Sequence, residues 1–263
     1  MLGLGLDIPQ TASRGGATFS PSSLGDLSYY FDANNTTGWS VAGGKIAIAK
    51  NRGLQRTFDF AQNNADNKPT LATSGGSNNR AYVHFDSSNS AWLFTSTDGE
   101  TQSDVPLGDY YSVFSVSYLN TTTNGSYGTA SMRKSGVNRW LFRQTLGGAD
   151  QGIIVNWDGT GNTTDGTADT TMEETWVILF AKVFDDGGTA KVEMYVNNTT
   201  NGATTISNAL ADTNCLLNIG KGNVGGQYMN GYVSEFGVYN KALSSTQQER
   251  LTQYLSFKYA ITI

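Results

Sequence analysis

The sequence predicts an all-β protein, a sandwich of two antiparallel sheets with one short C-terminal helix. Charged residues make up only 15% of the 263 residues, whereas an average soluble protein has about 25%. Aromatic residues are frequent, with 12 Phe, 13 Tyr and 5 Trp, and there are 31 glycines. Short stretches of alternating apolar and polar residues are separated by Asn, Asp and Gly, which is typical of strands joined by turns.

Ten segments of the chain alternate apolar and polar residues, as strands with one buried face do. These predicted strands cover residues 27–32, 81–86, 91–95, 110–119, 139–143, 151–157, 175–184, 190–196, 215–219 and 228–239. Stretches rich in Asn, Asp, Thr and Gly are predicted as turns at residues 34–38, 123–128, 158–167, 185–188 and 197–202. The clearest predicted hairpin joins residues 177–185 to residues 189–197 through Asp185-Asp186-Gly187-Gly188.

The segment 245–259 has the period of an amphipathic helix. One stripe of this predicted helix carries Leu251, Tyr254, Leu255 and Tyr259, and charged residues lie on the opposite side. Ser245 is followed three residues later by Gln248, a spacing that predicts a capping box at the start of the helix.

Length and composition predict a single domain, residues 22–263, preceded by an N-terminal arm of residues 1–21. No internal repeat or composition break divides the chain.

The formal net charge is −5 and no basic cluster is present, so nucleic acids and anionic membrane surfaces are not expected partners. The chain also has no run of 18 apolar residues that would predict a membrane-spanning helix. Cys215 is the single cysteine and has no partner for an internal disulfide.

The N-terminal arm begins with alternating glycine and apolar residues. It has no basic segment and is shorter than the apolar core of a signal peptide, so no secretory signal is predicted. Two interpretations remain open: an edge strand of the same domain, or an arm that docks on a neighbouring chain in an assembly. The predicted assembly anchor consists of Leu2, Leu4, Leu6 and Ile8.

Several segments together resemble the laminin-G-like, concanavalin-A-like jelly-roll domains of bacterial and phage proteins. In the first half these are LSYYFDANN (27–35), GGKIAIAKNRG (43–53), KPTL (68–71), RAYVHFD (80–86) and SAWLF (90–94). The segment 228–261 is similar to the closing signature of the family, in which a Gly-Tyr-x-x-Glu strand leads into a Tyr-Asn-Lys-Ala-Leu-Ser turn and a terminal helix. The resemblance covers residues 25–262 and implies a jelly-roll fold. Ile46 to Ala49 depart from the family, which usually has a Trp-Asp pair there.

The same fold includes glycoside hydrolases, which need two carboxylates about 5–9 Å apart. The Glu-x-Asp-x-x-Glu strand of the jelly-roll hydrolases is absent from this sequence. Glu193 and Glu235 each stand alone, and they are interpreted as solvated or hydrogen-bonded surface groups. His84 is the single histidine and is interpreted as an ordinary strand residue, since no Gly-x-Ser-x-Gly motif accompanies it. The prediction is therefore a protein that is not an enzyme.

Members of the family sometimes hold Ca²⁺ at the rim of the sandwich. Asp158, Asp165 and Asp169 carry the oxygen ligands that this hard cation needs. Their spacing matches no calcium loop, so ordinary turn aspartates are the favoured interpretation and no cofactor is predicted.

Glycan binding is expected as a secondary role, because glycan sites combine an aromatic face with planar hydrogen-bonding groups. Trp157 lies between Asn156 and Asp158 at a predicted strand end. In the strand around Trp140, Arg139 and Arg143 share one face, while Trp140 and Phe142 share the face predicted to be core. The arginine face suits a sulfated or carboxylated sugar, or the carboxylates of a neighbouring subunit. Trp39 is a second loop aromatic, and the predicted glycan-binding residues are Trp157, Asn156, Asp158, Arg139, Arg143 and Trp39.

The predicted function is that of a non-enzymatic bacteriophage virion protein, associated with the capsid as a decoration, with a fibre or with the tail. Phage particles assemble in the reducing host cytoplasm, so they need neither a secretion signal nor disulfides. The expected partners are other virion proteins and host-surface glycans, and the expected state is a homo-oligomer such as a trimer, exposed on the particle surface. The alternatives are a bacterial carbohydrate-binding adhesin module and, less favoured, a jelly-roll glycoside hydrolase.

Overall fold

A computed structural model describes residues 19–120, 125–134, 137–146, 151–157, 163–169, 172, 174–206, 214–222 and 227–263. Within these residues the chain forms eighteen strands and one α-helix, α1 (Ser245–Tyr259). The strands are β1 (Leu27–Asp32), β2 (Ser40–Ala42), β3 (Lys45–Ala49), β4 (Asp59–Ala61), β5 (Thr70–Ala72), β6 (Tyr82–Phe85), β7 (Leu93–Ser96), β8 (Asp104–Pro106), β9 (Tyr111–Leu119), β10 (Gly125–Lys134), β11 (Val137–Leu146), β12 (Gln151–Trp157), β13 (Thr163–Asp169), β14 (Trp176–Asp186), β15 (Thr189–Val196), β16 (Ala203–Thr205), β17 (Asn214–Ile219) and β18 (Gly231–Tyr239). Short 3₁₀ helices cover Pro21–Leu24, Ala65–Asn67, Ser77–Asn79 and Ser87–Asn89.

The strands form the two antiparallel layers of a jelly-roll sandwich. In the front sheet, β16, β15, β14, β9 and β18 pair in that order, and β1 and β6 both pair with β18. The back sheet runs from β13 through β12, β11 and β10 to β17, which also pairs with β7 and β8. At one edge β3 connects the layers, because it pairs with β4 beside β7 and with β5 beside β6. The predicted all-β jelly roll with one C-terminal helix is confirmed.

The main hydrophobic core lies between the two sheets. Every second residue of each long strand points into it, as the pleat requires. In β14 these are Val177, Leu179, Ala181 and Val183, and from the back sheet Trp140 and Phe142 are fully buried in the same cluster. The predicted core face of β11 is thus confirmed.

A second apolar cluster lies on the outer face of the front sheet, beneath α1. Phe114 and Val116 of β9, together with Ile178 and Phe180 of β14, pack against Leu251, Leu255 and Tyr259 of the helix. The apolar stripe predicted for the helix is therefore its buried face. Tyr118 and Trp176, which lie farther along β9 and β14 on the same outer face, are only partly buried.

All ten predicted strands are present with shifts of a few residues at their ends, but two predicted turns are wrong. Residues 125–128 belong to β10 and pair with β11, and residues 163–167 belong to β13 and pair with β12. Glycine and threonine in these segments favoured turns, but the long strands beside them supply a complete hydrogen-bonding ladder. Pairing with a neighbouring strand outweighs such local preferences. The predicted DDGG hairpin is present, with Gly187 and Gly188 at positive φ in its turn.

The capping box of α1 lies one residue earlier than the spacing predicts. Ser244 is the N-cap: its side chain accepts a hydrogen bond from Gln247 N, and the Gln247 side chain accepts one from Ser244 N. Gln248 is instead 4% exposed and faces the sheet. Ser244 and Ser245 each precede a glutamine by three residues, and the packing of α1 on the sheet makes Ser244 the N-cap.

The chain packs on the domain from the first described residue. The Phe19 ring lies 5.3 Å from that of Tyr254 on α1, and Tyr239 Oη donates a hydrogen bond of 2.9 Å to Pro21 O. Leu2, Leu4, Leu6 and Ile8 lie outside the described residues, so the arm stays a prediction. In the described part of the chain, no helix combines the length and the apolar character needed to cross a bilayer.

Candidate functional site

A row of aromatic side chains crosses the part of the front sheet next to the helix. Trp176 of β14 is the register partner of Tyr118 of β9, Tyr118 is the partner of Tyr232 of β18, and Tyr232 is the partner of His84 of β6. Register partners in antiparallel strands point to the same face, so these four residues, the aromatic row, form one line across four strands. Thr70 of β5, the partner of His84, continues the line with an exposed polar residue.

The rings of the aromatic row form a compact cluster, because the Trp176 ring also lies 6.1 Å from that of Tyr232 two strands away. The centroids of His84 and Tyr232 are 5.0 Å apart, those of Tyr232 and Tyr118 are 5.2 Å apart and stacked, and those of Tyr118 and Trp176 are 5.6 Å apart. Such ring pairs stabilise each other by about 0.5–1.5 kcal/mol beyond the burial of their area. All four rings are partly exposed, so the row is both ordered and accessible.

Tyr82 and the backbone of Gly76 border one side of the aromatic row. Tyr82 packs on Tyr232 with centroids 4.6 Å apart and on Trp176 at 6.1 Å. Behind it, the backbone of Gly76 comes so close that a Cβ there would lie 3.0 Å from Tyr82 Cδ1 and 3.3 Å from Trp176 Cζ2. The wall segment, residues 73–80, is fixed to the end of α1 because Asn78 Nδ2 donates a hydrogen bond of 3.1 Å to Lys258 O.

The hydrogen-bonding groups in and beside the aromatic row are without partners among the described residues. Within the described part of the chain, the hydroxyl groups of Tyr82, Tyr118 and Tyr232 and the imidazole of His84 form no hydrogen bond. Burial lowers the pKa of His84, and the Asp86 carboxylate opposes this effect. Burial raises the pKa of Tyr118, and the Glu174 carboxylate adds to the increase. At neutral pH the site therefore has uncharged aromatic groups with unused donors and acceptors, and carboxylates nearby.

Such a surface can bind a ligand that is apolar on its faces and polar at its edge. Tyr and Trp suit this task because each joins an apolar ring to one hydrogen-bonding atom. A pyranose or furanose ring has the matching character, since its C–H faces are apolar and its rim carries hydroxyl groups. The aromatic row can therefore bind sugar rings.

A second group of titratable residues forms a buried charge cluster beneath α1. Glu235 is fully buried and accepts hydrogen bonds from Tyr30 Oη at 2.7 Å, Tyr259 Oη at 2.9 Å and Lys258 Nζ at 2.7 Å. Lys258 Nζ also lies 2.6 Å from Asp32 Oδ2. Burial lowers the pKa of Lys258, but Glu235 and Asp32 outweigh it and hold that pKa above its usual value. The interpretation of Glu235 as an isolated surface group was wrong, because the helix covers it and supplies its cation.

Two further surface features are less suited to a ligand. On the back sheet, the ring of Trp92 is already covered by Lys221, whose Nζ lies 4.0 Å from the ring centroid. A cleft of about 510 Å³ lies near the start of β9, where Tyr110 and Phe184 are among its lining residues. Lys241 in this cleft is engaged by Leu24 O at 2.7 Å.

Four of the predicted glycan-binding residues fall on strands of the back sheet, and Trp39 falls on a loop. Arg139 and Arg143 lie in β11, which pairs with β12, where Asn156 and Trp157 are the last two residues. The side chains of these four residues and the whole of Asp158 lie outside what the structure describes. The structure thus makes β11 and β12 neighbours and leaves the predicted site itself a prediction.

Trp39 lies in the loop before β2. It is partly buried, and its ring packs edge-to-face on Phe31 with centroids 6.0 Å apart. Asp165 and Asp169, named above as oxygen ligands for Ca²⁺, lie in β13 rather than in a turn. Among the described residues, no group of three or more His, Cys, Asp or Glu side chains could hold a metal ion.

Sequence reasoning missed the aromatic row because its members are far apart in the chain. Each strand carried a local signal, namely an aromatic residue at a position that alternation assigns to the outer face. Tyr82 and His84 flank the inward Val83, Tyr118 precedes the inward Leu119, and Tyr232 precedes the inward Val233. The strand order that aligns these positions could not be derived from those signals.

Solved structures with similar folds include two toxin domains and one domain of an enzyme. The botulinum neurotoxin serotype D binding domain has a TM-score of 0.60 and 11% identity, covering 90% of this chain and 53% of that chain. The binding domain of Paraclostridial Mosquitocidal Protein 1 has a TM-score of 0.55 and 11% identity, covering 88% of this chain and 53% of that chain. The third is domain 4 of a GH43 extracellular arabinanase from Geobacillus stearothermophilus, which was solved in complex with arabinotriose. It has a TM-score of 0.53 and 14% identity, covering 87% of this chain and 98% of that chain.

These likenesses establish the fold, and the chain spans about half the length of the two toxin domains. No curated protein matches the chain. A laminin-G-type family model, described as the concanavalin A-like lectin/glucanases superfamily, matches residues 112–247. This region includes β9, β14 and β18, which carry three of the four residues of the aromatic row. The chain belongs to the concanavalin A-like lectin/glucanases superfamily.

Proposed function

We propose that this protein is a non-enzymatic glycan-binding module of a bacteriophage particle. The observation that carries the glycan-binding part is the aromatic row, in which rings from four adjacent strands present polar atoms that form no hydrogen bond with the described residues. Ligand sites commonly combine aromatic surface with a few polar groups of this kind. The arabinanase domain solved with arabinotriose supports the proposal, since it pairs a similar fold with a bound sugar.

The proposal of a non-enzymatic role is supported by the environment of the carboxylates. Asp32 and Glu235 are register partners, but Glu235 is fully buried and both carboxylates bind Lys258. Glycoside hydrolysis requires a pair of carboxyl groups on either side of an accessible sugar bond. This pair instead stabilises the contact between the helix and the sheet.

Glycan binding is tested with a glycan array and with single substitutions on the isolated protein. Trp176→Ala and Tyr118→Ala should each reduce binding strongly, because each removes ring surface from the row. Tyr110→Ala is the matched control: Tyr110 is 40% exposed and lies just before the start of β9, whereas Tyr118 lies near its end. Trp157→Ala tests the site that the sequence predicted. Loss of binding in Tyr110→Ala or Trp157→Ala alone would place the site elsewhere and refute the role of the row.

The proposed place on a phage particle rests on composition and on the N-terminal arm. The chain has one cysteine and a surface rich in uncharged polar residues, which suits a particle that assembles in a reducing cytoplasm. We propose that the apolar residues Leu2, Leu4, Leu6 and Ile8 dock on another virion protein, and that the chain forms a homo-oligomer, such as a trimer, on the particle surface.

The anchor is tested by removing residues 1–18, because Phe19 and Pro21 already pack on the domain. The shortened chain should fold and bind glycans like the full chain but should no longer sediment with particles. A variant with Leu2, Leu4 and Leu6 replaced by serine should behave the same way. If either form still joins the particle, the arm is not the anchor; if the full chain joins no particle and instead mediates attachment of bacterial cells, the adhesin alternative is favoured.

A further inference from the structure

We propose that Lys258 and Asp32 react with each other in the folded protein and form an amide bond between Lys258 Nζ and Asp32 Cγ, with release of one water molecule. Glu235 carries the protons that this reaction moves. The product is a covalent link between β1 and α1, the first strand and the terminal helix of the domain. This inference does not depend on glycan binding or on the place of the protein on a particle.

The two reacting groups are in contact and are largely enclosed by the protein. Lys258 Nζ lies 2.6 Å from Asp32 Oδ2, and the two side chains are only 11% and 14% exposed. Well-oriented groups held side by side react as if each were present at a concentration of about 10⁵–10⁸ M. The fold therefore gives an amine and a carboxyl group the proximity that amide formation requires.

The other oxygen of Asp32 is bound by two N–H groups. Asn34 N and Asn34 Nδ2 each donate a hydrogen bond of 2.9 Å to Asp32 Oδ1. When an amine attacks the Asp32 carboxyl carbon, negative charge develops on this oxygen, and N–H donors in such a position stabilise it. Asn34 is itself fixed, because its Oδ1 accepts a hydrogen bond of 3.0 Å from Ala81 N. Oδ1 is thus prepared to hold charge, and Oδ2, which lies beside Lys258, is the oxygen that leaves.

Glu235 is placed to carry protons between the two reacting groups. Its Oε2 lies 2.7 Å from Lys258 Nζ, which is within reach for direct proton transfer, and its side chain is fully buried. Tyr30 Oη and Tyr259 Oη fix its orientation through hydrogen bonds of 2.7 and 2.9 Å. Burial raises the pKa of Glu235, because a low-dielectric environment disfavours the charged form of a carboxyl group. A proton taken from Lys258 can therefore reside on Glu235 and pass on to Asp32.

The reaction balances within these three side chains. Lys258 begins as an ammonium ion: burial lowers its pKa, but Glu235 and Asp32 hold that pKa above its usual value. Glu235 accepts one proton from Nζ and passes it to Asp32 Oδ2. The Nζ lone pair then forms a bond to Cγ, a second Nζ proton moves through Glu235 to Oδ2, and the Cγ–Oδ2 bond breaks to release water. Glu235 ends as the carboxylate that it was at the start, and no oxidant or reductant takes part.

Another enclosed ion pair of the described residues lacks these additional groups. Lys182 Nζ lies 3.1 Å from Glu193 Oε2, and the two side chains are 9% and 15% exposed. In the part of the chain that the structure describes, no second carboxylate pairs with Lys182. This pair has an amine and a carboxylate in contact but no second carboxylate to carry protons, so it serves as an internal control.

The link closes almost the whole domain into one covalent ring. Asp32 and Lys258 are 226 positions apart in the chain, and a cross-link that closes a long loop restricts the unfolded chain strongly. The single cysteine, Cys215, provides no internal disulfide for this purpose. An amide also persists under reducing conditions, unlike a disulfide.

The proposal is tested on the full chain by intact mass spectrometry, followed by digestion with trypsin. We expect a mass lower by one water molecule and one branched peptide that contains both Asp32 and Lys258, without cleavage after Lys258. Lys182 and Glu193 should appear in unmodified peptides. Full mass and no branched peptide, in protein that circular dichroism shows to be folded, would overturn the proposal. This measurement needs no variant and so does not depend on how substitutions affect folding.

Two variants test the roles of the amine and of the second carboxylate. Lys258→Arg keeps the positive charge but has no amine that can attack, so it should retain the full mass. Glu235→Gln keeps the shape of the side chain but cannot carry protons in the same way, so the link should form at least about a hundredfold more slowly. Water loss in Lys258→Arg would place the reaction elsewhere and contradict the proposal. An unchanged rate in Glu235→Gln would exclude Glu235 as the proton carrier.

Discussion

Lys258 Nζ lies 2.7 Å from Glu235 Oε2, and this contact joins the last turn of α1 to the outer face of the front sheet. Lys258 also binds Asp32, and the Glu235 carboxylate receives two tyrosine hydroxyl groups, from Tyr30 and Tyr259. A buried charge with all its partners in place is tolerated, whereas one that loses its partner is costly. The helix is therefore attached to the sheet by a contact that is sensitive to the loss of its cation.

We expect Lys258→Met to lower the free energy of unfolding by about 3–5 kcal/mol, because it leaves Glu235 buried without its cation. Glu235→Gln should cost less, since Lys258 keeps Asp32 as a partner. Lys50→Met is the control: Lys50 pairs with Asp59 but is 47% exposed, and such pairs contribute at most about 1 kcal/mol. Urea denaturation measures all three variants, and an equal effect of Lys258→Met and Lys50→Met would contradict the structural role of the cluster.

The N-cap of α1 gives a prediction that separates two adjacent serines. Ser244→Ala should lower the free energy of unfolding by about 1 kcal/mol, because Gln247 N then loses its side-chain acceptor. Ser245→Ala should change it by no more than a few tenths of a kcal/mol, since Ser245 is the first helical residue and exposed. Thermal denaturation of both variants decides the matter, and a larger effect at Ser245 would restore the capping box predicted from the sequence.

His84 should make the stability of the protein depend on pH. Its pKa is lowered in the folded protein, mainly by burial, whereas in the unfolded chain it is about 6.5. Below this value the unfolded chain binds more protons than the folded protein does, so folding stability falls as the pH decreases through about 6.5.

This dependence is isolated by comparing the protein with His84→Gln between pH 5 and 8. The difference in free energy of unfolding between the two should be constant above about pH 7 and should shift in favour of the variant as the pH decreases. Because His84 is the single histidine, parallel curves throughout this range would show that its pKa is not lowered by folding.

Tyr232 lies at the centre of the aromatic row. Two substitutions there distinguish the contribution of its ring to glycan binding from that of its hydroxyl group. Tyr232→Ala should abolish detectable glycan binding, because it removes a ring that contacts both Tyr118 and His84. Tyr232→Phe keeps the ring and should lower affinity by about tenfold, the equivalent of one hydrogen bond of about 1–1.5 kcal/mol. Isothermal titration calorimetry measures both, with circular dichroism to confirm folding; equal affinities for all three proteins would remove Tyr232 from the site.

Much of the fold could be predicted because it depends on local patterns. Alternation in β9 and β14 identifies their inward residues, and the stripe of Leu251, Leu255 and Tyr259 identifies the buried face of α1. Where two local patterns competed, the prediction was less successful. The capping box was predicted at Ser245, whereas Ser244 has the same spacing to a glutamine and is the N-cap. Segments rich in Gly and Thr became β10 and β13 because neighbouring strands paired with them.

The sequence by itself determined which residues face outward on each strand, because the two-residue period of a strand is a property of the chain. It also determined the family, through the closing segment after β17. Only the tertiary structure decided that His84, Tyr232, Tyr118 and Trp176 form one line, since this depends on the register between strands up to about 150 residues apart in the chain. It likewise decided that Glu235 is buried, because α1 docks over the outer face and brings Lys258 to it.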